Sequence, residues 1–143
     1  MYQTVQFLHS YWAYLVLAVL VITTLNSLMG FFSKKEYGAK DMRLALFTLI
    51  TMHLQLLIGL VLWFASPRGM GALGEENLMS DSAIRSAAIE HPLLMIIAVV
   101  LITIGYSKHK KQRLSTPKFK KLAIFYTLGL LAVLAIIPWG EWF

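Results

Sequence analysis

Four histidines stand in this 143-residue chain, and three of them, His9, His53 and His91, lie in or beside apolar stretches. A neutral imidazole is a good axial ligand to iron, and a bis-histidine haem needs two such rings from facing helices of a bundle. Three rings can supply one pair, so the ceiling is one haem b per chain. His91 is the common member of either pair, with His53 or His9 as its mate. Two other uses of the same residues stand beside this one. They could form a quinone or proton site without haem, or they could be structural rings bonded to a helix backbone or a serine.

Neighbouring residues refine the choice. Glu90 precedes His91 and could accept a hydrogen bond from the second nitrogen of a ligating imidazole. Gln55, two residues beyond His53, faces another side of a helix and reads as a packing residue. His109 sits in the basic run SKHKK and reads as solvated rather than as a ligand. The chain has no cysteine, which removes thiolate metal sites, iron–sulfur clusters, covalent CxxCH haem attachment and disulfides. Nothing resembles a nucleophile–base constellation, a P-loop or a hydrolase motif.

These rings must be positioned by apolar helices. Hydrophobic residues make up 58% of the chain and charged ones 14%, with a mean hydropathy of +0.67, which is the composition of a membrane protein. Leu44 to Ala65 carries no formal charge over 22 residues, more than the roughly 20 needed to cross a bilayer core. The expected architecture is all-α, an integral membrane up-down four-helix bundle in one domain, with helices at about 5–32, 43–65, 82–107 and 119–138. The first helix lacks the basic flank of a signal peptide and reads as retained. Tyr11, Trp12 and Tyr14 read as an interfacial belt. Thr23, Thr24, Asn26, Ser27 and Gly30 read as close-packing residues, with Asn26 bonding across the bundle. Ser80 or Asp81 is a reasonable N-cap for the third helix, in which Pro92 falls among the early turns or kinks it.

The formal charge of +6 is localised, since eleven of thirteen Lys and Arg fall in two loops, around 34–43 and 108–121. By the positive-inside rule both loops are cytoplasmic, which leaves the N-terminus, the 66–90 loop and the C-terminus extracytoplasmic. Anionic lipid is sufficient to account for the basic loops, and no nucleic-acid partner is expected. With Trp12, Ala65 and Ala87 as outer boundaries and about 1.5 Å of rise per residue, His9 falls roughly 4 Å outside the apolar core, His91 roughly 6 Å inside and His53 roughly 18 Å inside.

At LHSYW (8 to 12), HLQLLIGLVLWFASP (53 to 67) and EHPLLMIIAVVLITIGYSK (90 to 108), the chain resembles small bacterial four-helix membrane proteins described as cytochrome b or cytochrome b-like. That resemblance covers essentially the whole chain and implies histidine-bound b-type haem and electron transfer in the bacterial cytoplasmic (inner) membrane. One half of haem A synthase is more loosely similar. There a Q-x-x-L-G helix precedes a helix opening with a haem-ligating histidine, and the matching residues here are Gln55 to Gly59, with Ile58 in place of the motif's Leu, and His91. The E-x-x-H-R sequence of that family is absent around His9, and its catalysis is not carried over.

The resulting expectation is a membrane-embedded b-type haem protein carrying electrons in a respiratory or quinone-linked chain, with iron held by His91 and either His53 or His9. It is an electron carrier rather than an enzyme in its own right. Its partners are the lipid bilayer and, as open choices, a quinone or quinol, a larger membrane complex or a second copy. The alternative is a haem-free accessory subunit whose histidines tie helices together. A proton-relay subunit is a weaker third, because the helix centres carry no Asp, Glu, Lys or Arg to chain a relay.

Overall fold

The computed structural model describes residues 2–65, 69, 71, 73–74, 76, 80–81, 85 and 89–136. Four helices are found there: α1 Tyr2–Phe32, α2 Ala39–Ala65, α3 His91–Lys110 and α4 Ser115–Ile136. Each begins or ends where backbone chemistry requires. Past Phe32, Lys34 takes a left-handed conformation with φ 54°, and the Lys35 N–H donates to the Gly30 carbonyl at 3.0 Å. That is the bonding of a Schellman cap, with lysine in the place glycine usually takes. At the start of α2, Asp41 Oδ2 accepts from the Gly38 N–H at 2.8 Å, as the third helical residue of a capping box does.

The sequence places the third helix at 82–107, and among the described residues α3 runs from His91 to Lys110. Residues 89–90 form a π-type turn immediately before α3, and Glu90 keeps helical angles, φ −68° and ψ −46°. Pro92 is the cause we assign: it has no N–H to donate and its ring disfavours a tight preceding helical turn, so that turn widens. Farther upstream, the Arg85 N–H bonds the Asp81 carbonyl at 3.0 Å, a helical turn starting where a cap was expected. Residues 82–84 and 86–88 lie outside the described residues, as do 137–143.

The helices run antiparallel in a ring, each packed against its two sequence neighbours and α4 closing against α1. Glycines set the closest approaches. A Cβ at Gly129 on α4 would stand 2.7 Å from Ile102 on α3, and one at Gly30 on α1 would stand 2.6 Å from the Phe119 ring on α4. Small residues allow such approaches between helices where lipid offers no hydrophobic gain. Val16, Leu20, Met52, Ala98, Ile102, Leu122 and Tyr126 fill the centre.

Polar groups inside the bundle bond across it. Thr23 and Thr48 hydroxyls lie 2.7 Å apart. The Tyr126 hydroxyl crosses from α4 to donate to the Ala45 carbonyl on α2 at 2.9 Å. Asn26, expected to bond across the bundle, donates to Asp41 at 2.8 Å.

The outside is apolar too, with Ile22, Leu25, Phe47, Leu57, Ile97 and Leu131 among the exposed large side chains. A helix that is apolar all round belongs in a core or a membrane. α1 from Gln6, α2 and α3 are each long and apolar enough to cross one.

Candidate functional site

α1 and α3 stand diagonally in the ring, and their N-terminal turns bring His9 and His91 together. The two imidazoles meet edge to face, with ring centroids 6.0 Å apart and planes at 75°. α2 frames His9 from one side. The Gln55 Nε2 donates to the His9 carbonyl at 3.0 Å, and a Cβ at Gly59 would stand 3.2 Å from His9 Cε1 and 3.6 Å from Nδ1. Gln55 and Gly59 are four residues apart and so share a helix face.

This placement corrects the level assigned to His9 relative to His91. Counting from Trp12 as an interfacial residue put His9 outside the apolar core and about 10 Å from the level of His91. Trp12 is instead an interhelical tie, its indole N–H donating to the Thr51 carbonyl at 3.0 Å. Antiparallel packing then sets His9 beside Gln55 and Gly59, about 9 to 15 Å below the last residue of α2. Tyr11 and Tyr14 do face outward.

His53 is placed elsewhere. Its Nδ1 lies 2.7 Å from the Leu49 carbonyl one turn back on its own helix, so Nδ1 carries the hydrogen. Its Nε2 lies 3.5 Å from the Thr103 hydroxyl on α3, and the ring is exposed on the outer side of the bundle. Thr103 is twelve residues along α3 from His91, about 18 Å of helix axis. The structure therefore joins His9 to His91 and sets His53 three turns away.

His109, read as solvated, is fully buried. α3 continues through it to Lys110, and the ring turns into the bundle end rather than into the loop. Nδ1 faces the Tyr106 carbonyl, and Nε2 lies 2.6 Å from the Tyr37 hydroxyl. The spacing of Tyr106 and His109, three residues apart on one helix face, was the available signal, and the lysines around it obscured it.

Glu90, considered as a support for His91, accepts from Arg85 Nε at 2.6 Å. Gln55, read as packing, does bond across to α1. What the sequence did not suggest is its contact with His9. Among the described residues no group of three or more His, Cys, Asp or Glu could hold a bare metal ion.

No known family, curated protein or solved structure matches this chain.

Proposed function

We propose that the chain is a membrane-embedded b-type haem protein that carries electrons, with His9 and His91 as the two axial residues. The observation that carries this reading is the meeting of those imidazoles across the bundle at 6.0 Å between centroids. Two imidazoles bound on opposite sides of one metal at about 2.0–2.1 Å per nitrogen would have centroids roughly 6 Å apart, which is the separation of this pair. The donor set fits as well. A bare ion would find two protein ligands here, whereas a porphyrin brings its own four nitrogens and asks the protein for two.

Haem would supply a one-electron ferric–ferrous couple. The chain's own residues do the rest: Gln55 and Gly59 hold His9 against α2, and the bundle core of Val16, Met52 and Met95 keeps the interior apolar below the pair. The two basic loops share the opposite end of the bundle, where Tyr37 N–H donates to Ser115 Oγ at 2.9 Å. Under the positive-inside rule that end is cytoplasmic and both termini are extracytoplasmic. The His9–His91 pair would then hold the group near the outer side of a bacterial cytoplasmic membrane, where quinol in the bilayer could serve as electron donor. The resemblance to small cytochrome b-like proteins agrees with this reading.

A second reading draws on His53 and His109, each of which bonds a carbonyl of its own helix. It makes the chain a haem-free accessory subunit whose histidines hold helices together. Air-oxidised and dithionite-reduced visible spectra of protein purified in mild detergent, with a pyridine haemochrome assay, separate the two. A sharp reduced α band at close to one haem per chain supports the first. A flat spectrum from folded protein, persisting after haem supplementation, overturns it in favour of the second.

A further inference from the structure

The Gln55 carboxamide is oriented by its bond to His9. Its Nε2 donates to the His9 main-chain carbonyl at 3.0 Å, and a carbonyl can only accept, so Oε1 is the remaining end of the amide. That Oε1 is buried and, among the described residues, has no hydrogen-bond partner. His9 Nδ1 is likewise buried without one. An acceptor and a group able to donate are thus both unsatisfied on two residues already in contact. Leaving either so carries the desolvation cost of an unpaired buried polar group. Gly59, one turn along the same face, lies beneath the Nδ1–Cε1 edge of the ring and leaves it no side chain to bond.

We propose that Gln55 is the positioning residue for His9: its Oε1 accepts from Nδ1–H, fixes that tautomer and leaves the Nε2 lone pair for the metal. This rests on the haem reading for its purpose, and on the Gln55–His9 main-chain bond and the two unsatisfied atoms beside it for its placement. A ligating histidine commonly donates its other N–H to a carbonyl or carboxylate, and losing that partner typically lowers metal affinity by 10- to 100-fold. Gly59 shares the task by letting α2 approach the ring. The Gln55-x-x-x-Gly59 spacing in HLQLLIG then has a single physical reason.

The test is ¹⁵N NMR of histidine-labelled, haem-free protein, with the His9 signals assigned by substitution, followed by haem titration. Wild type is expected to show His9 as the Nδ1–H tautomer, Gln55→Leu to shift it toward Nε2–H, and Gln55→Glu, which keeps an acceptor for Nδ1–H but gives up the donation to the His9 carbonyl, to retain it. In the titration Gln55→Leu is expected to bind haem at least about tenfold more weakly, with Gln55→Glu between it and wild type. An Nε2–H tautomer in wild type, or one unchanged in Gln55→Leu, overturns the proposal. Should Gln55→Leu fail to fold, the wild-type and Gln55→Glu tautomers decide it. Wild type that shows Nδ1–H yet takes up no haem removes the haem reading and leaves the Gln55 contact standing.

Discussion

The phenol oxygen of Tyr37 lies 2.6 Å from Nε2 of His109, joining the first basic loop to the last turn of α3. The Tyr106 carbonyl occupies the other nitrogen, so in the neutral ring Nδ1 donates and Nε2 accepts from the phenol. Burial first, and then the Asp41 and Tyr106 charges, hold the Tyr37 hydroxyl well above its ordinary value of 10.0. A group whose pKa is raised on folding adds stability that is complete below its unfolded value and is lost as pH climbs through the folded one. Thermal unfolding in detergent should therefore vary little from about pH 7 to about pH 9 and fall above about pH 10. Tyr37→Phe should remove part of that alkaline fall and cost about 1 kcal/mol at neutral pH. Equal alkaline slopes in the two proteins would rule the coupling out.

Gly30 faces a ring that has nowhere to go. Phe119 is fully buried, and a Cβ on Gly30 would meet three of its ring carbons at 2.6 to 2.7 Å. Overpacking of this kind typically costs about 1–3 kcal/mol. Gly30→Ala should lower stability by that amount, measured by denaturant titration in mixed micelles, whereas Gly74→Ala, with nothing within 4 Å of the new carbon, should stay within about 0.5 kcal/mol of wild type. A Gly30→Ala protein as stable as Gly74→Ala would show that α1 and α4 separate freely at this point.

Asp41 and Lys35 form an ion pair at 3.2 Å whose two ends differ in burial, 2% exposed against 46%. The carboxylate also takes the Asn26 amide and the Gly38 N–H, each at 2.8 Å. Removing it leaves a partly buried amide and a helix cap without an acceptor, so Asp41→Ala should cost about 1–3 kcal/mol. Lys35→Ala should cost less than about 1 kcal/mol, as a half-exposed partner does. A larger loss from Lys35→Ala than from Asp41→Ala, read by the same titration, would reverse this assignment.

Hydropathy made the helices legible, because a run such as Leu44 to Ala65 has one physical use. The internal ties of Thr23, Asn26 and Gln55 were legible as packing for the same reason: polar groups in apolar helices must find partners. Depth was not. Trp12 reads as a belt residue from its type alone, and only the bond to Thr51 reveals that it faces inward, which moves His9 to the level of Gln55. His109 was hidden by the opposite error, since four of the eight residues from Ser107 to Leu114 are Lys or Arg and the ring's inward rotation depends on one turn of α3 that charge alone does not announce. Pairing of His9 with His91 depends on both helix register and the bundle diagonal, and neither is written in any single segment.

The same register gives the three apolar-segment histidines different expected behaviour. His9 and His91 face each other at 6.0 Å, while His53 bonds the Leu49 carbonyl on the outer side of α2. Under the haem reading, His91→Ala and His9→Ala should each abolish the Soret band of the purified protein or leave a high-spin spectrum. His53→Ala should retain the wild-type band and lose about 1 kcal/mol of stability with its backbone bond. Because a folding defect would also remove haem, each variant is scored against its helical circular dichroism and its elution as a folded species in detergent. A folded His53→Ala protein that loses haem while His9→Ala keeps it would exchange the roles of these two residues. It would place the iron three turns deeper, between α2 and α3.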